Sequence, residues 1–146
     1  MTYTPYFLYI LYILLEALVV GLFCVFLYGG LQWINSFILL LFVLGFLKHS
    51  LGYVSGLESL FCNYGQACKA IHPSSQTPHK KEAYTEILFL ESVIEGLVFV
   101  LIGLLFYPVT SKVYIIFLIG FFLHLIAEIG GIHTEFCEKN CRRIVS

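Results

Sequence analysis

Charge is scarce in this sequence. Only 12% of its 146 residues are Asp, Glu, Lys or Arg, eight basic against nine acidic, for a formal net charge of −1. A nucleic-acid partner needs a basic surface to meet phosphates, so no nucleic acid is expected. Five cysteines occur but no C-x-x-C pair, which weakens a thiol-redox role. There is no glycine-rich phosphate loop, because the glycines lie within or at the ends of apolar runs. The Glu-x-x-His pair of soluble di-iron bundles is also missing. Ser74 and Ser75 have histidines nearby in sequence, yet nothing orients a nucleophile. No catalytic residue is assigned, and nothing compels an enzymatic reading.

What is abundant is apolar surface. The chain is 60% hydrophobic and 17% aromatic, with a mean hydropathy of +0.92. A soluble protein of this length cannot hide that much, so the bilayer is the expected partner. Four runs are long enough to cross it: Tyr6–Tyr28, Phe37–Leu57, Ala83–Tyr107 and Val113–Ile132. The first lacks a basic leader and is too long for a cleavable signal, so it reads as a retained span. The expected fold is all-α, a four-helix transmembrane bundle forming a single membrane domain over 1–146.

The bundle reads as a duplication. Gly45–Cys62 (GFLKHSLGYVSGLESLFC) matches Gly120–Cys137 (GFFLHLIAEIGGIHTEFC) 75 residues later at Gly45/Gly120, Phe46/Phe121, His49/His124, Gly56/Gly131, Phe61/Phe136 and Cys62/Cys137. The same offset pairs Glu16 with Glu91 and Gly21 with Gly96. Glu and His are rare here, so their agreement at one offset outweighs chance matching of apolar residues. Repeat one covers 6–62 and repeat two 83–137, separated by a polar linker, 58–82, and followed by a polar tail, 133–146. Short links predict that each repeat is an antiparallel hairpin. Both termini and the linker then share one side. Lys69, Lys80, Lys81, Lys139, Arg142 and Arg143 lie there against Lys112 opposite, so the positive-inside rule makes that side cytoplasmic.

Candidate function lies where the copies agree. Gly45, His49, Gly52 and Gly56 step along one helix face, as do Gly120, His124, Ala127 and Gly131. Small residues let a second helix approach, so each stripe predicts a packing seam with a histidine set into it. An ionisable group inside a span needs a partner. Depths counted from the same membrane face place Glu16 level with His49, and Glu91 level with His124. Glu95 and Glu128 extend this polar layer by one turn. Such a layer suits a metal such as iron, zinc or manganese, a haem held between two histidines, or the relay of protons or cations. Buried Glu–His bonds that only specify which helices meet are the structural alternative.

Cys62, Cys68, Cys137 and Cys141 gather past the ends of the second and fourth spans. With His72, His79 and His133 nearby in sequence they suit a zinc site, two disulfides, or free or redox-active thiols. Disulfides require an oxidising compartment and would invert the orientation. Cys24 reads as a small core residue. Tyr3, Tyr6, Tyr9 and Tyr12, at steps of three, read as an interfacial anchor. Two functions are therefore expected: a multi-pass membrane protein whose Glu/His layer binds a metal or haem or relays protons or cations, or a structural subunit or assembly factor with glycine seams and a cysteine-locked end. Other membrane subunits or a homo-oligomer would be partners of the second.

Overall fold

The structure, a computed structural model, describes residues 4–57, 61, 84–107 and 111–137. Among them every regular element is helical: α1 Thr4–Leu31, α2 Phe37–Val54, α3 Tyr84–Phe106, α4 Lys112–Ile129 and the short α5 Ile132–Phe136. The linker 58–82, apart from Phe61, and the tail beyond Cys137 lie outside the described residues.

Local chemistry explains the helix limits. Ser36 precedes α2 and its hydroxyl accepts the Leu39 N–H at 3.4 Å, satisfying one of the unpaired donors of the first turn. Ser111 holds the same position before α4. α2 and α4 end three residues earlier than the hydropathy predicts, each at a glycine with left-handed backbone, Gly56 at φ 80° and Gly131 at φ 75°. Such a residue reverses the chain at low cost only when it lacks a Cβ. The backbone N–H of Ser55 returns to Leu51 O, and that of Gly130 to Ile126 O, both at 2.8 Å. The bounds, the N-cap serines and the terminal backbone bonds recur 75 residues apart, although Ser111 makes no side-chain capping bond. Beyond Gly131 the chain forms α5, within the stretch expected to be polar tail.

The helices pack in antiparallel pairs that cross between the two halves of the chain. α2 lies along α3 and α1 along α4, whereas α1–α2 and α3–α4 touch far more lightly. Short links do make consecutive helices neighbours, but the extensive contacts are with the other half. Glycine explains the close approach. A methyl group on Gly45 would lie 2.9 Å from both the Gly96 Cα and the Glu95 carbonyl oxygen. One on Gly120 would lie 3.2 Å from the Gly21 Cα and 2.6 Å from the Cys24 Sγ. At each crossing a phenylalanine closes on the partner glycine, Phe42 on Gly96 and Phe117 on Gly21.

One apolar core fills the end of the bundle nearest Ser36 and Ser111. Leu40, Leu41 and Leu44 of α2 meet Ile115, Ile116 and Ile119 of α4, with Phe99 and Cys24 fully buried among them. Leu and Ile at these spacings form one face of a 3.6-residue helix. The outer surface is apolar as well: Phe26 is 77% exposed, Leu105 76% and Ile129 84%. Among the described residues four helices are long and apolar enough to cross a membrane. Eighteen residues span about 27 Å at 1.5 Å each, close to a hydrocarbon core.

Candidate functional site

One turn beyond each glycine crossing, a histidine meets a glutamate. In the α2–α3 pair, His49 Nε2 lies 3.3 Å from Glu91 Oε2, and its Nδ1 lies 2.9 Å from Glu95 Oε2. Lys48 Nζ bonds the other oxygen of Glu95. Carboxylate oxygens accept, so either ring nitrogen can donate to the carboxylate beside it. Ser50 and Ser92 continue this polar seam, their hydroxyls 3.1 Å apart and each close to a carbonyl of its own helix.

The α1–α4 pair makes the corresponding contact differently. His124 Nε2 stands 3.5 Å from Glu16 Oε2, an ion-pair distance at which it makes no hydrogen bond. His124 is 92% buried, and Leu123, Leu125, Ala17 and Val20 occupy the places that Lys48, Ser50, Ser92 and Glu95 hold in the other pair. A second polar group lies one turn on. Glu128 accepts from Tyr9 at 3.4 Å and pairs with His133 Nδ1 of α5 at 2.8 Å. The His124 and His133 rings are 4.5 Å apart, and Phe61 presents its ring edge-on to both. Burial pushes the His133 imidazole below its ordinary value. The Glu128 hydrogen bond opposes this, and the neighbouring His124 and Lys48 reinforce it.

The repeated histidines and glutamates meet as two separate contacts, one in each helix pair, and their partners differ from those the depth argument suggests. Glu16 belongs to His124 rather than His49, and Glu91 to His49 rather than His124, because the helices pair across the halves. Glu95 adds to the His49 contact, whereas Glu128 forms a separate group with His133 and Tyr9. The packing seams are shorter than their stripes: Gly45 and Gly120 make backbone crossings, while a Cβ on Gly52, Gly56 or Gly131 would meet nothing described within 4 Å. Ala127 is half-buried.

Sequence reasoning missed three members. Lys48 is given no role there, Tyr9 reads only as an interfacial anchor, and His133 is set with the cysteines as a possible zinc ligand. A signal for Lys48 existed: a lysine inside an apolar run one position before a repeated histidine needs a carboxylate, and Glu95 was available.

Among the described residues no group of three or more His, Cys, Asp or Glu could hold a metal ion. The six expected ligands, Glu16, His49, Glu91, His124, Glu95 and Glu128, are divided between two helix pairs, and Lys48 claims an oxygen of Glu95. Cys62, Cys68 and Cys141 lie outside the described residues, as do His72 and His79. Cys24 is a free, buried thiol. Cys137, the other described cysteine, is disulfide-bonded. Compared with known proteins, the chain matches no family model, no curated protein and no solved structure.

Proposed function

We propose that this chain is a multi-pass integral membrane protein, built from two copies of a helical hairpin, whose Glu/His layer takes up and passes protons within the bundle. One observation carries the reading. Inside helices otherwise apolar enough for a bilayer, each repeated histidine meets a repeated glutamate from the other half. Ionisable groups at that depth are costly, pair with one another, and mark ion pathways and proton relays. Imidazole and carboxylate exchange protons near neutral pH, which suits them to relay. Metal and haem are left aside, since the described side chains provide no converging ligand set.

Duplication is supported by the shared 75-residue offset of helix bounds, caps, glycine crossings and core positions. Crossed pairing gives it a physical meaning: a lone hairpin would leave both of its glycine faces uncovered. An even number of spans puts both termini and the linker on one side. The lysine and arginine bias assigns that side to the cytoplasm, whereas the disulfide at Cys137 argues for an oxidising compartment. Labelling a single cysteine placed in the linker with a membrane-impermeant maleimide, in intact and then opened cells, decides the side.

The functional test is proton flux into vesicles that contain the purified protein and an internal pH dye, driven by a potassium diffusion potential. Flux above empty vesicles, abolished in a folded Glu16→Gln/Glu91→Gln variant, is the expected result. Wild-type protein as tight as empty vesicles rejects the relay. The second reading then stands, a structural subunit or assembly factor, favoured by the two backbone crossings at Gly45–Gly96 and Gly21–Gly120.

A further inference from the structure

The two helix pairs have the same frame but differ in how firmly their protons are held. In α2–α3 the His49 ring has a carboxylate on each nitrogen, and Lys48 occupies Glu95. In α1–α4 the His124 ring is 92% buried, yet its Nε2 makes no hydrogen bond and points at Glu16. The place of Lys48 is taken by Leu123. A polar nitrogen buried without a hydrogen bond costs free energy that a shared proton would recover. From His124 a line of titratable groups then runs toward the helix end: the His133 ring 4.5 Å away, Glu128 bonded to His133, and Tyr9 on Glu128. Tyr9, the outermost member of this line, is 44% exposed.

We propose that the α1–α4 pair is the chain's proton-exchange site: Glu16 and His124 share a proton that arrives from the bundle end through Glu128 and His133, while the α2–α3 pair keeps its protons fixed. This rests on reading the Glu/His layer as proton-binding. The transfer is balanced. A proton taken up at the Glu128–His133 bond moves to His124, and Glu16 then faces an imidazolium or receives the proton itself. No oxidant or cofactor is needed. Among the described residues, the charged and titratable groups against this pair of histidines are Glu16 at His124, Glu128 at His133 with Tyr9 bonded to it, and, at longer range, Lys48 from α2. Phe61 presents its ring edge-on to both imidazoles.

The experiment is 15N NMR of selectively labelled histidine in the full chain, reconstituted in lipid nanodiscs and titrated from about pH 8 down to about pH 4.5, a range that brackets ordinary imidazole. The His124 and His133 signals are expected to move together while His49 stays constant. In His133→Phe, which retains a ring against Phe61, the His124 titration should be lost. Lys48→Met should set His49 titrating. Should Lys48→Met not fold, the wild-type titration and His133→Phe still decide. A His49 signal that titrates alongside His124 in the wild type overturns this assignment and leaves the proton-binding layer intact. No titrating histidine among the three overturns both. A His124 titration unchanged by His133→Phe and by His133→Gln overturns the access route.

Discussion

The α1–α4 and α2–α3 pairs are built on one plan and loaded differently. Both are antiparallel, both cross at a glycine pair, and both set a histidine against a glutamate one turn on. In α2–α3 that contact sits in a polar seam of Lys48, Ser50, Ser92 and Glu95. In α1–α4 the matching places are Leu123, Leu125, Ala17 and Val20, and polarity is displaced to the helix end at Tyr9, Glu128 and His133. The difference separates frame from function. What cannot vary between the pairs is the space between backbones; what does vary is the charge placed beside the histidine.

Substitutions at the crossings should have the largest effect, and the same effect in both pairs. Gly45→Leu and Gly120→Leu force side chains into backbone atoms within about 3 Å, where ordinary overpacking already costs about 1–3 kcal/mol. Each should abolish the cooperative unfolding transition in mixed micelles. Persistence of the transition in one variant alone would show that only one pair depends on close approach.

Next comes the lock. Lys48→Met leaves Glu95 against His49 alone and should destabilise by about 3–5 kcal/mol, the usual cost of stripping one partner from a buried ion pair. His124→Gln in the other pair should cost about 1 kcal/mol, since its Nε2 makes no hydrogen bond. Equal losses in the two variants, read from the same unfolding curves, would remove the asymmetry.

A pH effect of intermediate to small size belongs to α1–α4 alone. The docked His133 takes up its proton below the ordinary imidazole value because it is buried. The released side chain protonates near pH 6.5, so between the two values the undocked state binds more protons. Docking of α5 is therefore at full strength above about pH 6.5 and weakens as pH falls below it. Amide exchange over Ile132–Phe136 should accelerate at about pH 5.5, beyond its intrinsic pH dependence, relative to about pH 7.5, with α2 and α3 unchanged. The smallest expected effect is a gain. Gly52→Ala meets no described atom within 4 Å, and should stabilise α2 by about 0.5–1 kcal/mol, in contrast to Gly45 on the same helix.

The helices were legible from sequence because apolar runs bounded by Ser, Gly and Pro have one physical outcome in a bilayer-like chain. Glu16, His49, Glu91 and His124 were legible as a set, because rare ionisable residues recur at one offset. Their pairing was not. All four helices are apolar around most of their circumference, so periodicity does not say which face meets which helix, and link length favours the sequential neighbour. Only backbone proximity at Gly21–Gly120 and Gly45–Gly96 selects the crossed arrangement. Tyr9 and His133 escaped for a related reason: each sits beside its partner Glu128 only after α1 is laid along α4 and the chain turns at Gly131. The early ends of α2 and α4 were readable in retrospect from Gly56 and Gly131, the glycines that follow them.

The central claim is that the halves of the chain exchange partners, and a double-mutant cycle on stability addresses it most directly. Glu16→Gln is combined in turn with His124→Gln and with His49→Gln, and unfolding free energies are compared. Crossed pairing predicts a coupling of about 0.5–3 kcal/mol for Glu16 with His124, and additivity within about 0.5 kcal/mol for Glu16 with His49. Coupling of Glu16 to His49, with none to His124, would mean that each hairpin closes on itself and would contradict the account.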